Sequence, residues 1–274
     1  MAKTSKKTST KGKATTKKNT KPSTKITTKK VTKKAEEEVV LTPPTLEGVE
    51  PVAEPVEQTV VEVKEEPILN RFFTTEDKKE TSFVVDLEPN FWWSRLYEYP
   101  FARDLIETSD IILDCACGTY HPFKYGVSGT AKDTYACDLN SELNKEETIK
   151  RFDEKGYELL NKRVKDVNLA NCDMQNMPYG DNMFDKVFCI SALEHLSADI
   201  VANGLKEMKR VLKSDGKIVL TIDYPTLTPE DLIKIVESVG LKLYGKTDYT
   251  IPQNAISSTY FGGELKCYSM VLIK

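Results

Sequence analysis

From about residue 90 onward, apolar positions follow two alternating rhythms. Short apolar runs at 111–116 (IILDCA), 134–139 (TYACDL), 167–174 (VNLANCDM), 184–191 (FDKVFCIS) and 217–223 (KIVLTID) predict buried strands. Between them, apolar residues return every three or four positions, which predicts helices. One spans 90–108 and is interrupted at Pro100; another spans 141–152 with Ser141 as its N-cap. A third, capped by Ser197, carries Val201, Leu205, Met208, Val211 and Leu212 on one face and stops at Asp215-Gly216. The fourth covers 228–240, with Thr228 as cap and Pro229 in its first turn. The last two strands, 241–249 and 267–274, have no helix between them. This order predicts an α/β domain: a Rossmann-like, doubly wound, mostly parallel seven-stranded sheet with an antiparallel edge hairpin at its C-terminal end.

Composition divides the chain before that domain begins. Residues 1–35 hold 13 Lys and 10 Thr and no acid, so the formal net charge of −3 conceals a basic head on an acidic body. Such a segment buries too little apolar surface to offset the entropy of ordering, and disorder is expected there. It reads either as a tether to a polyanion such as nucleic acid or as a solubilising tail. Residues 36–68, with ten Glu and five Pro, read as an extended linker. The globular domain is then 69–274. No signal-peptide pattern and no long apolar span occur, and the six cysteines form no CxxC pair. These features point to a cytoplasmic, reducing setting without membrane insertion.

In open α/β sheets, ligands sit beyond the carboxyl ends of the strands, so the residues just after each strand carry the functional argument. They are Asp114 to Tyr120, Asp138-Leu139, Asp173-Met174, Ser191 to His195, and Asp223-Tyr224. Asp138 lies 20 residues after Gly118, where a carboxylate receives the hydroxyls of a ribose. The first loop, DCACGTY, lacks two glycines of a dinucleotide fingerprint, and Pro122 removes an N–H from the helix start. A phosphate cradle there is disfavoured, and with it a nicotinamide oxidoreductase. A nucleoside cofactor without phosphate would not need one. Alanine at 116 is a small change if its backbone keeps a negative φ, whereas Tyr120 would either close over a cofactor or fill part of its pocket.

From about Asp110 to Asp223 the chain resembles the class I S-adenosylmethionine-dependent methyltransferases, especially their broad small-molecule group. The resemblance rests on ILDCACGT, YACDLN, CDMQNMPYGDNMFDKVFCISALEHL and EMKRVLKSDGKIVLTID. It implies S-adenosyl-L-methionine as cofactor. Asp114 and the backbone at Ala116 and Gly118 would face its methionine part. Asp138 would hold the ribose, with Leu139 beside the adenine. Asp173 and Met174 would receive the adenine edge, and Ser191, Leu193 and Glu194 would line the floor near the sulfonium. Arg95, in the upstream WWSRLYEYP, would meet the cofactor carboxylate.

Methyl transfer asks mainly for alignment, and for a base only when the acceptor is protonated. Of the two histidines, His195 is the first candidate for that base and His121 the second; the other reading of His195 is a structural helix-start residue. Asp223 and Tyr224 are placed to contact the acceptor, and 249–263 reads as a loop over its pocket. C-x-C-x3-H at 115–121 matches no usual zinc spacing, so no metal site is assigned. The acceptor has no motif of its own. A small molecule or exposed group is favoured over a nucleic-acid base, since ISALEH replaces the [DN]-P-P-[YF] turn that grips a flipped base. The competing class is a non-catalytic methyltransferase-like interaction protein, tethered to a polyanion by its head.

Overall fold

The computed structural model describes residues 66–154 and 158–274. The basic head and nearly all of the expected linker therefore lie outside the described residues. Five parallel strands form the centre of the sheet, in the order β4 (Val167–Asn171), β3 (Asp133–Asp138), β2 (Ile111–Cys115), β5 (Phe184–Ile190) and β6 (Leu212–Tyr224). The order reverses beside β2, which creates the crevice expected of a doubly wound sheet. Strand β10 (Leu265–Ile273) follows, antiparallel to β6 from Lys266↔Tyr224 to Leu272↔Ile218.

Alternate residues of the central strands pack on opposite faces, as the period of an extended chain requires. Leu113, Val187, Cys189, Ile218 and Leu220 meet α5 (Ala198–Val211) and α6 (Pro229–Ser238) on one side. Their neighbours Ile112, Phe188 and Val219 pack on the other side against α1 (Arg95–Asp104) and α2 (Phe123–Val127). The mixed α/β, Rossmann-like architecture matches the expectation from periodicity, but several local details differ.

Ten strands are present among the described residues instead of seven. β1 (Ile68–Phe72) pairs antiparallel with β10, so β10 is an inner strand over that stretch. The expected hairpin survives as β7 (Lys242–Leu243) against Leu272 and Ile273, while β8 (Lys246–Thr247) runs parallel to β1. Two-residue strand β9 (Ser257–Ser258) flanks the other end of β10. Pro100 sits inside α1. The helix expected from Ser141 begins as α3 (Lys145–Glu154), leaving Ser141 in the preceding turn. Helix α5 stops at Val211 and not at Gly216, because buried Leu212 already pairs with Phe184 in the sheet. Gly216 lies at the irregularity in that pairing. A Cβ there would stand 2.8 Å from the carbonyl of Asp185. Thr228 caps α6 through the amide of Asp231 at 3.1 Å. Ser197 occupies the cap position of α5 without a side-chain cap bond.

Asn70 explains why a strand at the very start of the predicted domain joins the sheet edge. It is fully buried, and its amide nitrogen donates to the carbonyls of Tyr244 (2.9 Å), Gly245 (3.3 Å) and Lys246 (3.2 Å). Its oxygen accepts from the amide of Val271 at 2.7 Å. One side chain thus ties β1 to both later segments. Asn70→Ala strands these backbone groups and is expected to cost about 2–3 kcal/mol. Denaturant unfolding measures this, and a loss below about 0.5 kcal/mol would show that the edge does not depend on Asn70.

Candidate functional site

The carboxyl ends of β2, β3, β4 and β5 converge on a cleft of about 410 Å³. This is the size range of small-molecule sites. Ala116, Asp138, Leu139, Asp173, Met174, Ser191 and His195, all read from the sequence, line it. Asp114 and Gly118 line a narrow extension of about 50 Å³, shared with Ala116 and Ser191. Leu193 and Glu194 border neither space; both are buried beneath the floor.

The β2 loop is built around a strained backbone. Ala116 has φ +53°, in the left-handed region, so the condition under which alanine is a small change is not met. Gly118 has φ +61°, and a Cβ there would meet the His121 ring at 2.6 Å, so glycine is required twice over. Ser191, at the end of β5, is also left-handed at φ +41°. Strain of this kind persists only where the surroundings impose it.

Two side chains hold the loop. Asp138 Oδ2 accepts from the amide of Gly118 at 2.8 Å, and its Oδ1 accepts from the amide of Asn140 at 2.9 Å. Lys124, with no exposed surface, donates to the carbonyls of Cys117 (3.2 Å), Gly118 (2.7 Å) and His121 (2.8 Å). The turn that more glycines would have eased is held instead by a buried ammonium. Tyr120 settles its alternative differently: its hydroxyl donates to Glu142 at 3.2 Å, and it borders a groove with Phe91 and Trp92 outside the main cleft. It does not fill that cleft.

The centre of charge is Glu98 of α1. It has no exposed surface, and its Oε1 accepts from Ser191 Oγ (2.6 Å), Thr221 Oγ1 (2.5 Å) and Cys267 Sγ (3.3 Å). Oε2 pairs with Arg95 at 2.5 Å. Burial opposes its charge, but Arg95 and the hydroxyl donors outweigh burial and hold the carboxyl below its usual range. Around it, three carboxyls shift the other way. Burial, aided by Asp138 and opposed by Lys124, raises Asp114 to about 7. Burial and Asp223 raise Glu194 to about 8, while burial and Glu98 raise Asp223 to about 7. Each keeps one buried oxygen without a donor: Asp114 Oδ2, Glu194 Oε2 and Asp223 Oδ1.

The histidines also separate. His121 packs edge-on to Trp92, with its Nδ1 3.3 Å from the Tyr99 hydroxyl. Burial and the charges of Arg95 and Lys124 lower it to about 3, so it stays neutral and is a weak base. His195 is exposed where the cleft meets a second cavity. Glu98 and Lys124 were not singled out from sequence. A lone Glu three residues after Arg95 in an aromatic helix was the available signal for the first. Nothing marked the second.

Asp173 accepts from the amide of Gln175 at 2.9 Å, which fixes the β4 turn beside the cleft. Acids at the ends of β2, β3 and β4, around one cleft of nucleoside size, are now in place. Residues 113–220 match the family model described as a methyltransferase domain. Over those residues the chain carries a methyltransferase domain. Three curated relatives match this chain. One is an uncharacterized protein of Methanocaldococcus jannaschii, 30% identical over 52% of this chain and 60% of its own length. The tRNA (carboxymethyluridine(34)-5-O)-methyltransferase of Arabidopsis thaliana is 27% identical over 53% and 33%. The demethylmenaquinone methyltransferase of Staphylococcus haemolyticus is 33% identical over 43% and 51%. The chain thus spans from a third to about three fifths of these relatives' lengths.

The raised carboxyls of the methyltransferase domain fix the sign of its pH response. A group whose folded pKa exceeds its unfolded value binds more protons when folded, so its contribution to stability is lost as pH rises through the folded pKa. Asp114, Glu194 and Asp223 place that loss between about pH 5 and pH 8. Lowered Glu98 acts in the opposite direction, in the acid range below that window. Ligand-free protein should therefore lose stability from pH 5 to 8, by at most about 1.4 kcal/mol per pH unit for each titrating group. Asp114→Asn should flatten the slope. Chemical denaturation across the range decides it, and stability rising with pH would contradict the assignment.

Proposed function

We propose that this chain is an S-adenosyl-L-methionine-dependent methyltransferase acting on a small molecule or an exposed group of a larger one. The observation that carries the reading is the row Asp114, Asp138 and Asp173 on three adjacent strands around one cleft, with Asp114 left short of a donor. The donors and acceptors fit the cofactor. Asp138 is held by two backbone amides, yet each of its oxygens retains a lone pair for a ribose hydroxyl. Asp173 and Met174 would hold the adenine edge, and exposed Leu139 would cover its face. Asp114 Oδ2 would accept from the amino group of the methionine part, with the backbone of Ala116 and Gly118 beside it. Buried Arg95 Nε, which lacks an acceptor, would donate to its carboxylate. Ser191 would line the floor, with Glu194 buried beneath it.

The cofactor supplies a methyl group already activated on a sulfonium. The chain's own part is alignment and exclusion of water. Trp92, Trp93 and Phe261 wall a second cavity of about 240 Å³ that shares Arg95, His121 and His195 with the cleft. This adjacency supports an acceptor site there, and His195 stands where a proton acceptor would be wanted. The relatives act on a tRNA uridine derivative and on demethylmenaquinone, which differ too much to name the acceptor. Residues 1–35 would add non-specific polyanion contact as location, not as chemistry.

Calorimetric titration with S-adenosylmethionine should give saturable heat, and Asp138→Ala should weaken binding at least about tenfold, the scale of losing charge-assisted hydrogen bonds. Absence of binding heat and of any thermal shift would leave the non-catalytic interaction protein as the better reading. Deleting residues 1–35 should reduce retention on heparin at low salt while leaving cofactor affinity unchanged; equal retention would refute the tether.

A further inference from the structure

The second cavity has a chemical character of its own. Its walls are aromatic: Phe91 lies edge-on to Trp92 at 5.2 Å and 6.1 Å from Phe261, with Trp93 alongside. Arg95 is the cavity's fixed cation, and it is already matched by Glu98. His121 is kept neutral by burial, and His195 stands exposed at the rim. Asp223 is different. Its backbone amide donates to Glu194 Oε1 at 3.2 Å, which holds the residue in place, but its own Oδ1 is buried without a donor. A buried carboxylate oxygen in that state is an open acceptor for an N–H or O–H of whatever enters the cavity. Aromatic faces add a preference for a cation, since their quadrupoles attract positive charge.

We propose that this cavity recognises the methyl acceptor as an organic amine on an apolar or flat body, its nitrogen hydrogen-bonded to Asp223. The inference rests on the methyltransferase reading and deepens it. As an ammonium enters, one N–H proton passes to Asp223 Oδ1, and the nitrogen keeps the electron pair of the broken bond. That lone pair is what a methyl acceptor needs. The elevated proton affinity of Asp223, imposed by burial and by Glu98, suits a group that must take this proton near neutral pH. Asp223 is thereby preferred over His195, which no hydrogen bond orients among the described residues. A carboxylic acid ligand would be repelled by Asp223, and the one open donor of Arg95, its Nε, is the group assigned to the cofactor carboxylate.

Both tryptophans of the chain, Trp92 and Trp93, line this cavity, so intrinsic emission reports on it directly. Full-length protein is titrated with phenethylamine, 2-phenylethanol and phenylacetate, three probes with one body and three head groups. Phenethylamine should change the emission saturably at millimolar concentration. Phenylethanol should bind at least tenfold more weakly, and phenylacetate not at all. Asp223→Asn should erase the preference of amine over alcohol. Phe261→Ala, at an exposed wall position, should weaken the amine several-fold. S-adenosylmethionine titration of each variant checks that it is folded and tests the underlying reading separately. The proposal is overturned if the alcohol or the acid binds as well as the amine, if phenethylamine gives no signal, or if Asp223→Asn leaves its binding unchanged. An amine preference without cofactor binding would defeat the methyltransferase reading alone.

Discussion

A charge buried away from water survives only if other charges and donors replace the water. Glu98 is the place where this domain meets that condition, and much of the site depends on how. Its partners come from four parts of the fold: Arg95 on its own helix, Ser191 after β5, Thr221 in β6 and Cys267 in β10. The carboxylate therefore docks α1 onto the sheet, holds Ser191 at an unfavourable φ and fixes Arg95 between the two cavities. Removing it would strand a buried guanidinium and two hydroxyls. The consequence would spread from packing to binding, since one group supports both.

Lys124 and Asp138 do the corresponding work one strand away. A loop with more glycines could turn freely and would lose more entropy on folding. Here the turn is held at its carbonyls by an ammonium and at the Gly118 amide by a carboxylate. Ala116 bears a left-handed conformation inside that clamp. The conformational freedom of the missing glycines is thus replaced by specific bonds. The same bonds fix Asp138 before any ligand arrives, which lowers the entropic cost of binding.

How much of this was legible depended on the range of the interaction. The strand runs and the acids after them were readable because both are local: a period of two for the sheet, and a residue type at a strand end. The start of α6 was equally local, since Thr228 and Pro229 carry the signal within one turn. Boundaries set by distant partners were not readable. Helix α5 ends early because Leu212 finds Phe184, and β1 joins the edge because Asn70 finds three carbonyls far along the chain. Glu98 and Lys124 were missed for the same reason. A charged residue in a helix reads as solvated until the neighbours that bury it are known. The left-handed backbone of Ala116 was not readable because the clamp that imposes it is tertiary.

The two ends of the sheet show what this difference means for function. At the amino end, Asp110 and Lys186 form a buried ion pair, and Asp110 also accepts from the amide of Glu107 at 2.7 Å. That pair is complete within the chain, as a structural ion pair should be. At the carboxyl end, three carboxyls each keep a buried oxygen without a donor, and no other carboxyl among the described residues does so. Their shared location cannot follow from burial alone, because Asp110 is buried as well. Nor does it follow from poor packing, because Glu98 in the same region is fully bonded. The chain can satisfy buried acids, and at Asp114, Glu194 and Asp223 it leaves one oxygen unmet. Two of the three border cavities that meet at His121. An unmet acceptor costs stability in the empty protein, and at Asp114 and Asp223 the bordering cavity gives a ligand's donor access to it.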